Sequence, residues 1–348
     1  MRRIFTTAIA LATIAATAAT AGCSLGSGDS AAAPSDHKVV LVTHDSFAYT
    51  KALFAQFKKD TGITIEVHPA GDAGALTNQL VLTKANPIGD LAYGIDNTFA
   101  TRALNEGVFA PYTSPQASKG PQRYDIDASH RLTAIDLGDV CLNVDVRKFK
   151  EAPKTFEDLT KPEYAKQLVV EDPQTSSPGL AFLLATISHF GENGWQQYWS
   201  KLKAGGMKVV SGWEEAYSQD FSGSSGKGPQ GIVVSYASSP SAEIGDDGKP
   251  RTVAMLDTCF RQVEYAGVLQ GAKNPSDAQK VLDFLLSPQF QADVPGQMYV
   301  YPSLEGVALP KEWQQAAPLP TSPITMPGDR IQQGRDGWIK QWRSLVQG

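Results

Sequence analysis

The stretch "KVVLVTHDSFAYTKALFAQFKKDTG", residues 38–62, opens as a run of β-branched residues and changes period at "THDSF". Beyond that corner the spacing is helical, from Tyr49 to Asp60. The same unit recurs along the chain: an apolar β-branched run, a turn rich in Gly, Asp or Ser, then a helical stretch. That alternation predicts an α/β fold. Further strands are expected at "ITIEVH", "LAYGI", "RLTAIDLGDVCLNV", "QLVVED", "MKVVS", "GIVVSY" and "RTVAMLD". Helices are expected at 73–83, 97–106, 155–159, 179–190, 195–204, 213–218, 276–285 and 288–294. No internal repeat is visible.

Upstream of this stretch, Arg2 and Arg3 lead into "IFTTAIALATIAATAATAG", an apolar segment that ends at Cys23. This pattern predicts an export signal over residues 1–22. Ala21 and Gly22 before the cysteine resemble the lipobox of bacterial lipoproteins, which implies lipidation of Cys23 and a membrane anchor. The small, polar residues that follow, up to 37, suit a flexible tether. The remaining residues, 38–348, suffice for about two ordinary domains. A net charge of −5 without a basic run argues against a nucleic-acid surface. Past the signal no apolar stretch approaches the ~20 residues that cross a bilayer. Cys141 and Cys259 are left once Cys23 is acylated, and in an oxidising compartment they read first as one disulfide. The five histidines are scattered, none at a zinc-like spacing from a cysteine, so no metal site is expected.

In open α/β sheets ligands lie outside the carboxyl ends of the strands. Three such corners collect hydroxyl groups: "THDSF", "EDPQTSSPGLAFLL" and "SYASSPSAE". Two readings stand for each. Ser and Thr cap helices, and Pro178 suits a first helical turn; free amides with neighbouring hydroxyls also form an anion site. Aromatic side chains accompany the corners, with Trp213 and Tyr217 in "SGWEEAYSQDF", Tyr236 in "VVSYASSP", and Tyr299 and Tyr301 in "PGQMYVYPS". Flat aromatic walls suit a planar heterocycle, and the carboxylates of Asp45, Asp72 and Asp96 suit a cation held between them.

Motifs of enzyme chemistry are absent: there is no G-x-S-x-G, H-E-x-x-H, P-loop or G-x-G-x-x-G after a strand, and no cofactor is called for. "GSSGKG" at 223–228 lacks the Walker spacing and reads as a surface turn. A hydrolase built on Ser176 lacks an evident histidine base.

Taken together, "THDSF", "GIDN", "EDPQTSSPGLAFLL", "GWEEAY", "VVSYASSP" and "FLLSPQFQADVPGQMYVYP" resemble, in order and spacing, the periplasmic thiamine-binding proteins of ABC importers. The resemblance runs from Lys38 to Gly348 and includes the closing W-x-x-x-W at Trp338 and Trp342. It implies a two-lobed type II solute-binding fold with hinge strands, a mixed sheet flanked by helices in each lobe. The expected divisions are 38–135 for the first part of lobe 1, 136–258 for lobe 2, and 259–348 for the return to lobe 1 and the C-terminal helices. It also implies a monomer outside the cytoplasmic membrane that delivers thiamine, or its mono- or diphosphate, to a membrane permease.

Carried over residue by residue, the resemblance places Ser176, Trp213, Tyr236 and the Asp72–Ala73 pair around the thiazolium and any phosphate. The family's second set stacks on the aminopyrimidine, and there this sequence departs: His44 and Tyr299 stand for a tyrosine and a tryptophan, and Ala242 replaces a further tyrosine. His44 is then a stacking face of the cleft and Asp45 a hydrogen-bond acceptor, against the alternative that Asp45 and Ser46 only cap the following helix. Cys141 and Cys259, both on candidate crossover strands, are expected to bridge near the hinge. A different cationic or heterocyclic cargo on the same fold, a pyrimidine or thiazole precursor or a polyamine, is the alternative; ferric iron lacks its adjacent tyrosine pair.

Overall fold

The computed structural model describes residues 37–224 and 228–348. The expected signal segment, Cys23 and the tether up to residue 36 lie outside the described residues, as do residues 225–227 of the "GSSGKG" turn.

The first half of the sheet starts with β1 (Lys38–Thr43), which continues through α1 (Lys51–Thr61) into β2 (Thr64–Pro69) and through α2 (Ala73–Leu82) into β3 (Leu91–Asp96) and α3 (Ala100–Asn105). β1 lies between β2 and β3, parallel to both. The long strand β4 (Thr133–Asp145) then carries the chain into the second half. That half holds α4 (Pro162–Ala165), β5 (Leu168–Glu171), α5 (Ser177–Phe190), α6 (Trp195–Ala204), β6 (Lys208–Val210) and β7 (Ile232–Tyr236). Here β5 lies between β6 and β7, again parallel to both. The long strand β8 (Thr252–Val268) returns to the first half, followed by α7 (Pro275–Leu285), α8 (Pro288–Gln297), β9 (Tyr301–Pro302), α9 (Trp313–Ala316) and α10 (Gly328–Val346). The sheet order is β2-β1-β3-β8-β4-β7-β5-β6, with β9 paired to β4. Each half therefore repeats one plan, a parallel trio closed by an antiparallel crossing strand.

Side-chain alternation explains why helices cover both faces. Val39 and Leu41 of β1, with Leu91 and Tyr93 of β3, bury against α1, α7 and α8. Val42 and Ala92 face α2 and α3 on the other side. Ile95 ought to follow Tyr93 but joins the opposite face, because the β3–β8 register shifts between the two. The residue in the bulge is Gly94, with φ +98. A Cβ there would stand 2.1 Å from His44 Cδ2, so only glycine leaves room for that ring.

The crossing strands hold the two halves together. β4 pairs with β8 from Thr133↔Ala266 to Asp145↔Thr252, and the ladder breaks between Val140 and Leu142. At this break Cys141 and Cys259 form the disulfide, with Cα atoms 4.1 Å apart. The expected lobe divisions at 135/136 and 258/259 fall inside β4 and β8.

Several elements differ from the sequence reading. The strand expected at "RTVAMLD" continues for 17 residues to Val268. Polar residues interrupt its apolar pattern: Asp257 and Thr258 fall at the break in the ladder, and Arg261, Gln262 and Glu264 pair with Asp139, Gly138 and Asp136. The helix expected at 155–159 is one 3-10 turn, Asp158–Thr160. That expected at 213–218 runs on as a π-helix, Glu215–Asp220, in which the Phe221 amide donates to the Ala216 carbonyl. Such turns concentrate at functional sites. α10 packs against α6 and α3, with Trp342 edge-on to Trp199 at 5.4 Å.

Candidate functional site

Where the strand ends of the two halves face each other, they enclose a cavity of about 410 Å³, the size of a small-ligand site. His44 enters it from the corner after β1, with its side chain 11% exposed. Trp213 and Tyr217, from the turn after β6, form a stacked pair with centroids 4.9 Å apart and planes at 15°. Trp213 is fixed by its indole N–H, which donates to Ser235 Oγ at 2.9 Å. Tyr236, at the end of β7, lies 6.2 Å from Trp213. It rests on Gly138 of β4, where a Cβ would stand 2.7 Å from its ring. Tyr299 closes the rim at φ 55, a backbone conformation that costs a non-glycine residue of order 1–3 kcal/mol. Ala242 also lines the cavity.

Asp72, at the start of α2, joins the halves. Its carboxylate accepts from the amides of Ala73 (2.7 Å), Ser177 (3.3 Å) and Trp213 (3.1 Å). The Ser176 hydroxyl adds a further bond, and Ser176 also caps α5 by accepting from the Gly179 amide. Burial raises the Asp72 carboxyl above its ordinary range, and these donors oppose the rise. The hydroxyl-rich corner "TSSPG" caps α5 through Ser176, and its Ser177 amide donates to the Asp72 carboxyl.

Not every candidate reaches the cavity wall. Asp45 is exposed, with its amide donating to the Gly71 carbonyl at 3.1 Å. It does not cap α1 either: the N-cap of that helix is Thr50, whose amide and hydroxyl donate to Asp293 at 2.8 and 2.7 Å. Ala73 is buried in the first turn of α2, and Ser176 sits behind Ser177, which does line the cavity. Asp96 lies beneath the floor and accepts from the Thr98 hydroxyl at 2.7 Å and the Phe99 amide at 3.3 Å. Desolvation, partly offset by those donors, pushes its carboxyl up to about 8.

The floor holds a feature that the sequence reading missed. Asp96 of β3, Glu264 of β8 and Asp136 of β4 are cross-strand neighbours. Three carboxyl groups in a row cannot all ionise in a desolvated sheet. Burial, reinforced by the charge of Glu264, drives the Asp136 carboxyl far up, with the Tyr93 hydroxyl bonded to it. Of the three, Glu264 alone lines the cavity. Gln262 Nε2 donates to the Ser177 hydroxyl at 3.0 Å and lies 3.4 Å from Glu264 Oε1, while Glu264 Oε2 is 3.5 Å from His44 Nε2. Burial, the largest single influence, lowers the His44 imidazole, but the charge and hydrogen bond of Glu264 together with the charges of Asp72 and Asp45 outweigh it, and the net direction is up. The available signal was the polar run inside an otherwise buried strand.

Glu214 and Glu243 also line the cavity, the latter bonded to the Tyr217 hydroxyl at 3.0 Å. Among the described residues no Lys or Arg does. An aromatic, acidic cleft of this kind suits a flat cation.

The mixed α/β fold with two crossing strands and a cleft at the strand ends is the type II periplasmic binding protein fold. Residues 86–322 match the family described as bacterial extracellular solute-binding protein, and the chain belongs to it. It is 31% identical over 324 residues to the thiamine-binding periplasmic protein of Salmonella typhimurium, covering 90% of this chain and 96% of that one. With the Escherichia coli protein of the same description the identity is 29% over 315 residues, covering 88% and 93%. A solved periplasmic thiamin binding protein superposes with TM-score 0.79 at 26% identity, covering 89% and 96%. The iron-bound HitA of Pseudomonas aeruginosa shares the fold, with TM-score 0.71 at 19% identity over 88% and 99%. The family captures solutes outside the cytoplasm and is not an enzyme class.

Proposed function

We propose that this chain is the solute-capturing subunit of an ABC importer for thiamine, held at the outer face of the cytoplasmic membrane by a lipid on Cys23 and acting as a monomer. The cleft carries the reading: the aromatic rings of Trp213, Tyr217, Tyr236 and Tyr299 line one cavity with the carboxylates of Glu264, Asp72 and Glu243. Thiamine is a cation with two flat heteroaromatic rings, and such walls supply stacking and charge compensation together. Asp72 ties α2 of the first half to the α5 start and Trp213 of the second, so it favours the closed cleft. His44 and Tyr299 supply the flat faces at the pyrimidine end. The ligand-binding set we propose is His44, Asp72, Trp213, Tyr236 and Tyr299, with Ser176 acting through Asp72. Thiamine mono- and diphosphate are carried by the same reading.

Calorimetric titration of the purified protein with thiamine tests it. One-to-one binding at or below micromolar Kd, weakened at least tenfold by Trp213→Ala or Tyr236→Ala, is the expected result. No heat from thiamine or either phosphate with folded protein refutes the cargo and leaves the family's transport role.

A further inference from the structure

The cavity has aromatic walls on several sides, but its floor is chemically singular. Glu264 is 7% exposed, lies inside β8, and still reaches the cavity. A carboxylate that deep is retained against a desolvation cost only where something compensates it. The compensation visible here is partial. Gln262 approaches Oε1 at 3.4 Å and His44 approaches Oε2 at 3.5 Å, both at the long limit of hydrogen bonding. His44 Nε2 is itself buried without a close partner. Of the neighbouring carboxyls, Asp96 turns to Thr98, while Asp136 is bonded to the Tyr93 hydroxyl and also lies against Glu264, so Glu264 has one carboxyl neighbour at its sheet side. Glu264 still lines the cavity beside His44 and Tyr236, so the floor presents a carboxylate with further acceptor positions to the ligand space.

We infer that Glu264 determines specificity in this cleft, by accepting hydrogen bonds from the amino-bearing edge of a heteroaromatic ring stacked against those walls. The inference rests on the thiamine reading above and goes further, because it states which edge of the pyrimidine is read and by which atom. A ring lying flat on His44 or Tyr236 points its edge at the floor. An exocyclic amine or a protonated ring nitrogen donates to the carboxylate. A ring carbonyl at the same place sets an acceptor against an acceptor and leaves Glu264 buried and unpaired, the situation in which polar sites discriminate most strongly. His44 is the positioning residue: its imidazole stands 3.5 Å from the second carboxylate oxygen, and Gln262 stands 3.4 Å from the first.

The experiment compares thiamine with its 4-oxo analogue, in which oxygen replaces the pyrimidine amino group, by calorimetric titration of the wild type and of Glu264→Gln. Hydrogen bonds to a charged group correspond to roughly 10- to 150-fold in affinity. Wild-type protein is expected to prefer thiamine by at least about 30-fold. Glu264→Gln keeps the shape, so it is expected to weaken thiamine about tenfold or more and shrink the preference below about fivefold. His44→Gln is expected to reduce the preference partially and leave the melting temperature within a few degrees. Equal affinity of the wild type for both ligands overturns the inference and leaves the thiamine reading intact, and this arm does not depend on any variant folding. A folded Glu264→Gln that discriminates as the wild type does also overturns it. If wild-type protein binds neither compound, the cargo assignment itself fails and this inference falls with it.

Discussion

Replacing Asp72 by alanine removes the side chain that ties the two halves across the cleft. Two of its partners, the Ser177 amide at 3.3 Å and the Trp213 amide at 3.1 Å, belong to the second half, whereas the Ala73 amide belongs to its own helix. The Ala73 contact persists whether the cleft is open or closed, so it cancels from ligand affinity and affects only stability. The cross-cleft contacts exist only when the halves meet. A hydrogen bond to a charged acceptor contributes about 1.5–3 kcal/mol. Because one carboxylate serves both amides at longish distances, the pair together contributes about 2–4 kcal/mol to the closed state. That converts to roughly a 30- to 700-fold loss in apparent thiamine affinity, through a smaller closed population. Asp72→Asn keeps one acceptor oxygen and is expected to lose about tenfold. Calorimetric titration gives Kd, and a thermal melt shows that the variant is folded. A folded Asp72→Ala protein whose Kd changes less than threefold would refute the role of Asp72 in closure.

Three further predictions follow from the crossing strands and the floor. The Cys141–Cys259 bond closes a span of 118 residues, for which chain entropy predicts a loss of about 4.9 kcal/mol on removal. Urea denaturation of the Cys141→Ser/Cys259→Ser protein should show at least 2 kcal/mol, and thiamine affinity should move less than threefold because the bond lies along the crossing rather than across the cleft. Gly94→Ala places a methyl group against the His44 ring at positive φ, so thiamine affinity should fall about tenfold and the melting temperature by several degrees; unchanged affinity would remove His44 from the wall. The Asp96 carboxyl, pushed up to about 8 in the folded chain, binds a proton that the unfolded chain releases near pH 4. Between those values its contribution lowers stability as pH rises, by up to about 1.4 kcal/mol per pH unit. Asp96→Asn keeps an acceptor for Thr98 and should flatten that fall between pH 5 and 8; an unaltered pH profile would contradict the buried, protonated carboxyl. His44 works in the same direction: its raised imidazole pKa contributes stability that is present below about 6.5 and lost as pH rises through the folded value.

Much of this architecture is written locally. Runs such as "KVVLV" and "GIVVSY" declare strands because period-2 apolar patterns bury one or both faces, and the alternation of strand and helix defines an α/β chain. The corners "THDSF", "TSSPG" and "SGWEEAY" advertise themselves by crowding hydroxyl, acidic and aromatic residues where chain direction reverses. The sequence therefore determines the fold class, the pairing of its two body cysteines and the corners from which His44, Asp72, Trp213, Tyr236 and Tyr299 reach one cavity. It does not determine which carboxylates face the ligand space. Asp45, Asp72 and Asp96 look alike as acids at strand ends, yet one is exposed, one joins the halves and one lies under the floor with its proton. Glu264 is hidden in a strand whose polar residues break the apolar pattern, and its neighbours Asp96 and Asp136 come from strands far away in the chain. Their adjacency depends on ladder register, on the bulge at Gly94 and on two strands that cross between halves. Register and crossing are set by packing between segments more than a hundred residues apart, and only the tertiary structure carries that information.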